Sequence, residues 1–116
     1  MGESILTSIK KLLGITEDYT YFDTDIIIHI NTVIMILNQM GVGATQFHIT
    51  GKTETWSDFI GTENTILEMV KTYIYLKVRL IFDPPTGGGL MDAIENTISE
   101  LEWRLNSEVD YHVDKS

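Results

Sequence analysis

The stretch ENTILEMVKTYIYLKVRLIF, at 63–82, runs without a turn signal until Asp83-Pro84-Pro85 stops it. In its second half Lys77 and Arg79 alternate with Leu76, Val78 and Leu80, the pattern of a half-buried strand. Over the whole stretch the helical period dominates. Leu67, Val70, Ile74, Val78 and Ile81 fall at steps of three and four, and Met69, Tyr73, Leu76 and Leu80 form a second stripe beside them. Glu68, Thr72, Tyr75, Arg79 and Asp83 line the opposite side. Three such stripes predict a helix over 63–82, about 30 Å long, with Thr62 as its N-cap. An apolar face this wide needs more than one neighbour, which places the helix at the centre of the fold.

The flanking chain supplies those neighbours. Ile5, Ile9, Leu12 and Leu13 predict a short first helix, with Ser4 as N-cap and Gly14 as a left-handed terminator. Lys10 and Lys11 near its end suit the helix dipole, and the aromatics of 15–22 pin the next connection to the core. Asp23-Thr24-Asp25 places acceptors and negative charge at the start of a second helix. Apolar residues dominate this helix from Ile26 to Met40, and Gly41 stops it. Beyond Asp83-Pro84-Pro85 and three glycines, Met91, Ile94, Ile98, Leu101 and Leu105 make a clean stripe for a last helix over 90–106. Proline cannot continue a helix, and a connection this short returns the chain antiparallel. Residues 107–116 are polar and mostly acidic, and are expected to form a flexible tail. The expected fold is therefore all-α, a single domain over 1–106 with about four main helices.

One segment departs from this pattern. Residues 41–56, GVGATQFHITGKTETW, are rich in glycine and threonine, and Phe47, Ile49, Thr53 and Thr55 suit extended chain. They predict a small β-hairpin or an ordered loop, pairing 46–50 with 53–56 about a turn at Gly51-Lys52. Ser57 to Gly61 predicts a single helical turn. Gly51-Lys52-Thr53 echoes the end of a phosphate-binding loop, but that pattern needs a glycine at position 46, where Gln46 stands. A hairpin turn accounts better for it. Gly87-Gly88-Gly89 precedes a helix, yet nothing basic accompanies it, and a flexible connection explains the glycines.

Catalytic and metal chemistry find no constellation. His29, His48 and His112 lie in three separate segments without ligand spacing. Asp110, His112 and Asp114 alternate, but a solvated tail explains them better than a metal site. Acidic pairs such as Glu17-Asp18 have no accompanying base or nucleophile. No cysteine is present, which removes disulfides and thiolate zinc sites. The net charge of −9 on 116 residues, with basic residues scattered, argues against a nucleic-acid-binding surface and favours a basic partner. No signal peptide or membrane span is apparent. The expectation is a soluble intracellular protein without enzyme activity, cofactor or metal. Phe47, Ile49, Trp56, Phe59 and Trp103 are the candidate interface residues; Trp103 stands off the stripe of the last helix, beside Asn96 and Ser99.

In combination, SILTSIKKLLGI, DTDIIIHINTVIMILNQMGVG, TWSDFI and VKTYIYLKVRLIFDPP, followed by a helix ending in LEWRLN, resemble the small head–tail connector proteins of long-tailed bacteriophages and prophages. The resemblance spans about 4–106 and departs mainly in 43–55 and 87–89, both loops. It implies a helical, non-catalytic subunit of the virion neck. Such a subunit assembles in the host cytoplasm as a homo-oligomeric ring beneath the portal protein and completes the head after DNA packaging. The ring meets a tail-side stopper or adaptor protein, and DNA passes through its channel without being specifically bound. Two other readings compete. One is a small acidic regulatory or inhibitory module binding a single protein partner. The other is an enzyme or ligand-binding protein using a pocket beside 41–56.

Overall fold

A computed structural model describes residues 3–61 and 65–115, with side chains as far as 109. Among these residues five helices follow in order: α1 (Ile5–Leu12), α2 (Asp23–Gln39), α3 (Trp56–Ile60), α4 (Leu67–Phe82) and α5 (Gly88–Lys115). No strand occurs among the described residues, and the chain is all-α as its periodicities predict. The envelope is 44 × 36 × 19 Å. Its thin dimension is about two helix diameters, and its long one matches α5, whose 28 residues span about 42 Å.

The wide apolar face of α4 is used as expected. Val70, Tyr73, Ile74 and Val78 are all completely buried. α4 packs most extensively on α2, then on α5 and on α1, and no other helix touches three partners so broadly. From α2 come Ile26, Ile30, Val33, Ile34 and Leu37, from α1 Ile5, Leu6 and Ile9, and from α5 Ile94, Ile98 and Leu105. α4 nevertheless begins four residues later than its pattern suggests. Ile66 caps it without a side-chain hydrogen bond, and the expected cap at Thr62 lies outside the described residues.

The short helices show why their ends fall where they do. The Ser4 side chain accepts from Thr7 N at 3.2 Å, and Gly14 takes φ +84° where the chain leaves α1. α3 is closed by a reciprocal capping box: Thr55 Oγ1 accepts from Asp58 N at 3.2 Å, and Asp58 Oδ2 accepts from Thr55 N at 3.0 Å. α2 departs from expectation, because Phe22 is its cap and no side chain accepts there. Asp23 is engaged elsewhere, in an ion pair of 2.8 Å with Lys10.

The 41–55 segment forms an ordered loop, and the hairpin is absent. The segment turns at Gln46, whose φ is +62°, and side chains of α2 satisfy much of its backbone where a second strand would have done so. Asn31 accepts from Ile49 N at 2.7 Å and donates to Ile49 O at 2.9 Å. Asn38 donates to Val42 O and Ala44 O and accepts from Gln46 N. A β-bridge joins Ser4 and Thr55, with Ile5 N donating to Glu54 O and Trp56 N donating to Glu3 O, both at 3.1 Å. The loop is thereby stitched to α2 and to the start of α1.

Gly43 is the tightest point of this loop. Its φ is +84°, and a Cβ there falls 2.8 Å from Phe59 Cδ1 and closer still to the outer ring carbons. Phe59 is itself 1 % exposed and cannot retreat. Gly43→Ala combines a left-handed backbone penalty with a clash against a fixed ring. We expect a loss of about 2 kcal/mol or more, measurable as a lower urea midpoint with an unchanged m-value.

Candidate functional site

The five candidate interface residues divide by burial. Ile49, Trp56 and Phe59 are core residues at 1–3 % exposure, and Phe47 is half-buried against the Phe59 ring at a centroid distance of 5.1 Å. Trp56 is anchored further: its Nε1 donates to Ser8 Oγ at 3.0 Å, and Ser8 Oγ donates to Ser4 O at 2.7 Å. All four belong to or pack against the core and offer a partner little side-chain surface. Trp103 differs, standing 68 % exposed on α5.

Trp103 lies beside a hollow of about 370 Å³ lined by Met69 of α4 and by Arg104, Ser107 and Glu108 of α5. Arg104 Nε is held by Glu100 Oε2 at 2.9 Å, the i, i+4 pair that the sequence shows. Just behind the hollow, α4 and α5 are tied by Tyr73, whose hydroxyl donates to Glu102 Oε2 at 2.7 Å. α5 also continues to Lys115, nine residues beyond the predicted end at Asn106. Val109 packs against the core there.

Burial, reinforced by the Glu102 hydrogen bond and charge, pushes the Tyr73 phenol well above its ordinary range. The consequence for stability has a definite sign. Below about pH 10 the phenol is neutral both folded and unfolded. Above that the unfolded chain ionises first, so the folded state loses stability as pH rises. The expected result is a fall in denaturation midpoint above about pH 10 that is shallower in Tyr73→Phe than in the native protein. Equal slopes in the two proteins would show that Tyr73 is not the group responsible.

Other large apolar residues are exposed besides Trp103. Ile28 and Met35 lie two turns apart on α2, with Thr32 between them bonding back to Ile28 O, and both are more than half exposed. Tyr21 is 78 % exposed at the end of a ring series that runs through Phe22 to Phe82. Ile28, Met35 and Ile81 were legible only as part of an apolar excess, because periodicity alone does not say which stripe goes uncovered. Leu12, on the first-helix stripe, is also half exposed. It borders a groove of about 450 Å³ between α1 and α4, lined by Glu3, Lys11, Lys71 and Tyr75 among others.

The phosphate-loop echo resolves into a self-contained turn. Thr50 N, Thr50 Oγ1 and Gly51 N all point at the Glu54 carboxylate, at 3.0, 2.7 and 3.3 Å. Partial burial raises the pKa of Glu54, but these donors outweigh it and hold the group below its usual value. The chain's own carboxylate thus fills the backbone donors to which an anion would bind. Gly88 and Gly89, expected in a connection, open α5 instead. His29 is half-buried on α2 and His48 exposed in the loop. The backbone at 110–114 is helical, and the His112 side chain lies outside the described residues. Among the described residues no three histidine or acidic side chains gather as a metal site, and no helix is long and apolar enough to cross a membrane.

The family described as Phage connector protein matches residues 5–112, which takes in α1 to α4 and all but the end of α5. No curated protein and no solved structure matches.

Proposed function

Since the chain belongs to the phage connector protein family, we propose that it is a structural adaptor of a tailed-phage particle, a ring-forming subunit between the portal and the tail-side proteins. The family is structural, so its activity is assembly and not catalysis. In this role the subunit docks on the portal once DNA is packaged, lengthens the channel and offers the tail-side stopper a surface. Assembly takes place in the host cytoplasm, and the finished location is the virion neck.

The observation that carries this reading is the extent of the match, 5–112, across nearly the whole helical domain. The surface is compatible with it. Trp103, Ile28, Met35 and Tyr21 are large apolar groups left outside a small domain whose core is already closed, and heterologous contacts between copies close rings. A net charge of −9 also suits a channel through which DNA must slide without sticking.

The test is to mix the purified protein with its cognate portal and examine the product by mass measurement and electron microscopy. A ring of copies seated on the portal is the expected result. A one-to-one complex with some other protein, and none with portal, would overturn the adaptor reading. A monomer in isolation is compatible with it, because subunits can order on the portal template. The channel proposal has its own check: neutralising the carboxylates that line the lumen should alter DNA retention or ejection, and unchanged behaviour would sink it.

A further inference from the structure

Most of the apolar surface outside the core has surroundings that select no occupant. Ile28 and Met35 lie on α2, which carries no charged residue over 26–39. Trp103 stands beside a hollow where Arg104 and Glu108 offset each other. The groove beside Leu12 sets Lys11 and Lys71 against Glu3 and Glu68. The face around Tyr21 is different, because its charge is one-sided.

Its rings are exposed and held in place. Tyr19 is 50 % and Tyr21 78 % exposed, in the connection that leads into α2. Both lean on Phe22, at centroid distances of 5.9 and 4.9 Å, and Phe22 rests on Phe82 at 5.1 Å. The two phenols stand 6.4 Å apart on this support. Aromatic rings already fixed in position lose little freedom when a partner covers them.

The carboxylates around the rings are unneutralised. Glu17, Asp18, Asp25 and Asp83 are all exposed, and none has an ion-pair partner among the described residues. Lys10 lies beneath this connection, but it is buried and spent on Asp23. Lys11 borders the face, sharing a hollow with Glu17. Arg79, one turn before Asp83, reaches back to Tyr75 Oη at 3.5 Å. With both of these cations counted, the face is still negative. The positive end of α2 and the negative end of α4 meet at Phe22 and Phe82, so the helix dipoles offset each other here.

We propose that this face docks an arginine-bearing segment of a partner protein, with a guanidinium over the Tyr21 ring and the carboxylates of 17–18 and 83 on its flanks. Arginine fits both parts at once, stacking on an aromatic face while pairing with carboxylate through its planar fork. A second copy of this chain is excluded as occupant of the same face, since four carboxylates would meet four. The phosphates of DNA are excluded on the same ground. The net charge of −9 favours a basic partner, and this face gives that partner a seat. The contact does not depend on whether copies close a ring.

The probe is a short peptide of alternating arginine and glycine, titrated at low salt into the isotope-labelled protein. Amide shifts should concentrate at 17–25 and 81–83 and fade as salt is raised. Tyr19→Ala with Tyr21→Ala leaves the charge unchanged and should weaken binding about tenfold. Asp18→Asn with Asp83→Asn alters no ring and should weaken it about fivefold. Asp92→Asn with Glu95→Gln removes the same charge from the exposed side of α5 and should change it less than about twofold. Equal losses from the two charge pairs would show that net charge alone draws the peptide, and overturn the proposal. Shifts centred on Trp103, undiminished affinity in the tyrosine variant, or no shift at all overturn it equally. Portal binding is a separate readout. A ring on the portal without these shifts removes this face and leaves the assembly reading standing; the shifts without a ring do the reverse.

Discussion

Ile74→Asp is expected to unfold the subunit. Ile74 is completely buried in the middle of α4, between Val70 and Val78, which are equally buried. An aspartate at this position must either stay charged in the core or take up a proton. Neutralising it at pH 7 from an ordinary pKa near 4 costs about 4 kcal/mol, at roughly 1.4 kcal/mol per unit. The neutral carboxyl, left without partners, adds about 1–3 kcal/mol. Loss of the isoleucine side chain and its packing adds about 2–4 kcal/mol more. The sum reaches the whole stability of a typical domain, about 5–15 kcal/mol. Circular dichroism should show loss of helix at room temperature. Ile74→Val, by contrast, should cost only about 1 kcal/mol, and Thr72→Asp on the exposed side of the same helix about 0.5 kcal/mol or less. A protein that kept its helical signal and melting temperature with Asp at 74 would show that α4 is not the centre of the fold.

That centre was legible because its evidence is local and repeated. The Val70–Ile74–Val78 stripe, the Pro84-Pro85 break and the Ser4 and Gly14 ends each follow from neighbours within a few positions. Features that depend on distant partners were not legible. Phe47 and Ile49 suited a strand, yet the groups that satisfy the backbone of this loop are Asn31 and Asn38 on α2, with Asn31 eighteen residues from Ile49. No pattern within 41–56 announces that. The interface candidates failed to separate for the same reason. Trp56 and Trp103 have similar chemistry, and the group that anchors the first within the core is Ser8, forty-eight positions away. The last helix passes Asn106 because Val109, one turn after Leu105, continues to pack against the core although the intervening residues are polar. Trp103, off its stripe, was the one candidate whose position alone marked it.

Lys10→Met should be the second most damaging change, although a lysine near a helix end looks expendable. The sequence suits Lys10 to the dipole of α1. In the fold it is 2 % exposed, and its ammonium reaches three oxygens: Asp23 Oδ1 at 2.8 Å, Tyr19 O at 2.8 Å and Glu17 O at 3.1 Å. Those contacts match the three donors it has. They clamp the 13–22 connection between α1 and the first residue of α2. Phe22, next in line, stacks edge-on against Phe82 at 5.1 Å, so the clamp also sets how the end of α4 is covered. Methionine preserves the stem and the packing but abandons all three oxygens. Asp23 Oδ1 is buried, and among the described residues the Lys10 ammonium is what compensates it. Breaking a buried pair from one side costs about 3–5 kcal/mol. Because the Asp23 side chain is 26 % exposed, water recovers part of this, and about 3 kcal/mol is the expected loss. Lys10→Met with Asp23→Asn should cost less than the two single changes added together, since the second removes the charge that the first strands. Urea denaturation measures all three. Near-ultraviolet dichroism should register the freed Tyr19, Tyr21 and Phe22 rings while the far-ultraviolet helical signal persists. Were Lys10→Met as stable as the native chain, the aromatic series alone would be holding the connection in place.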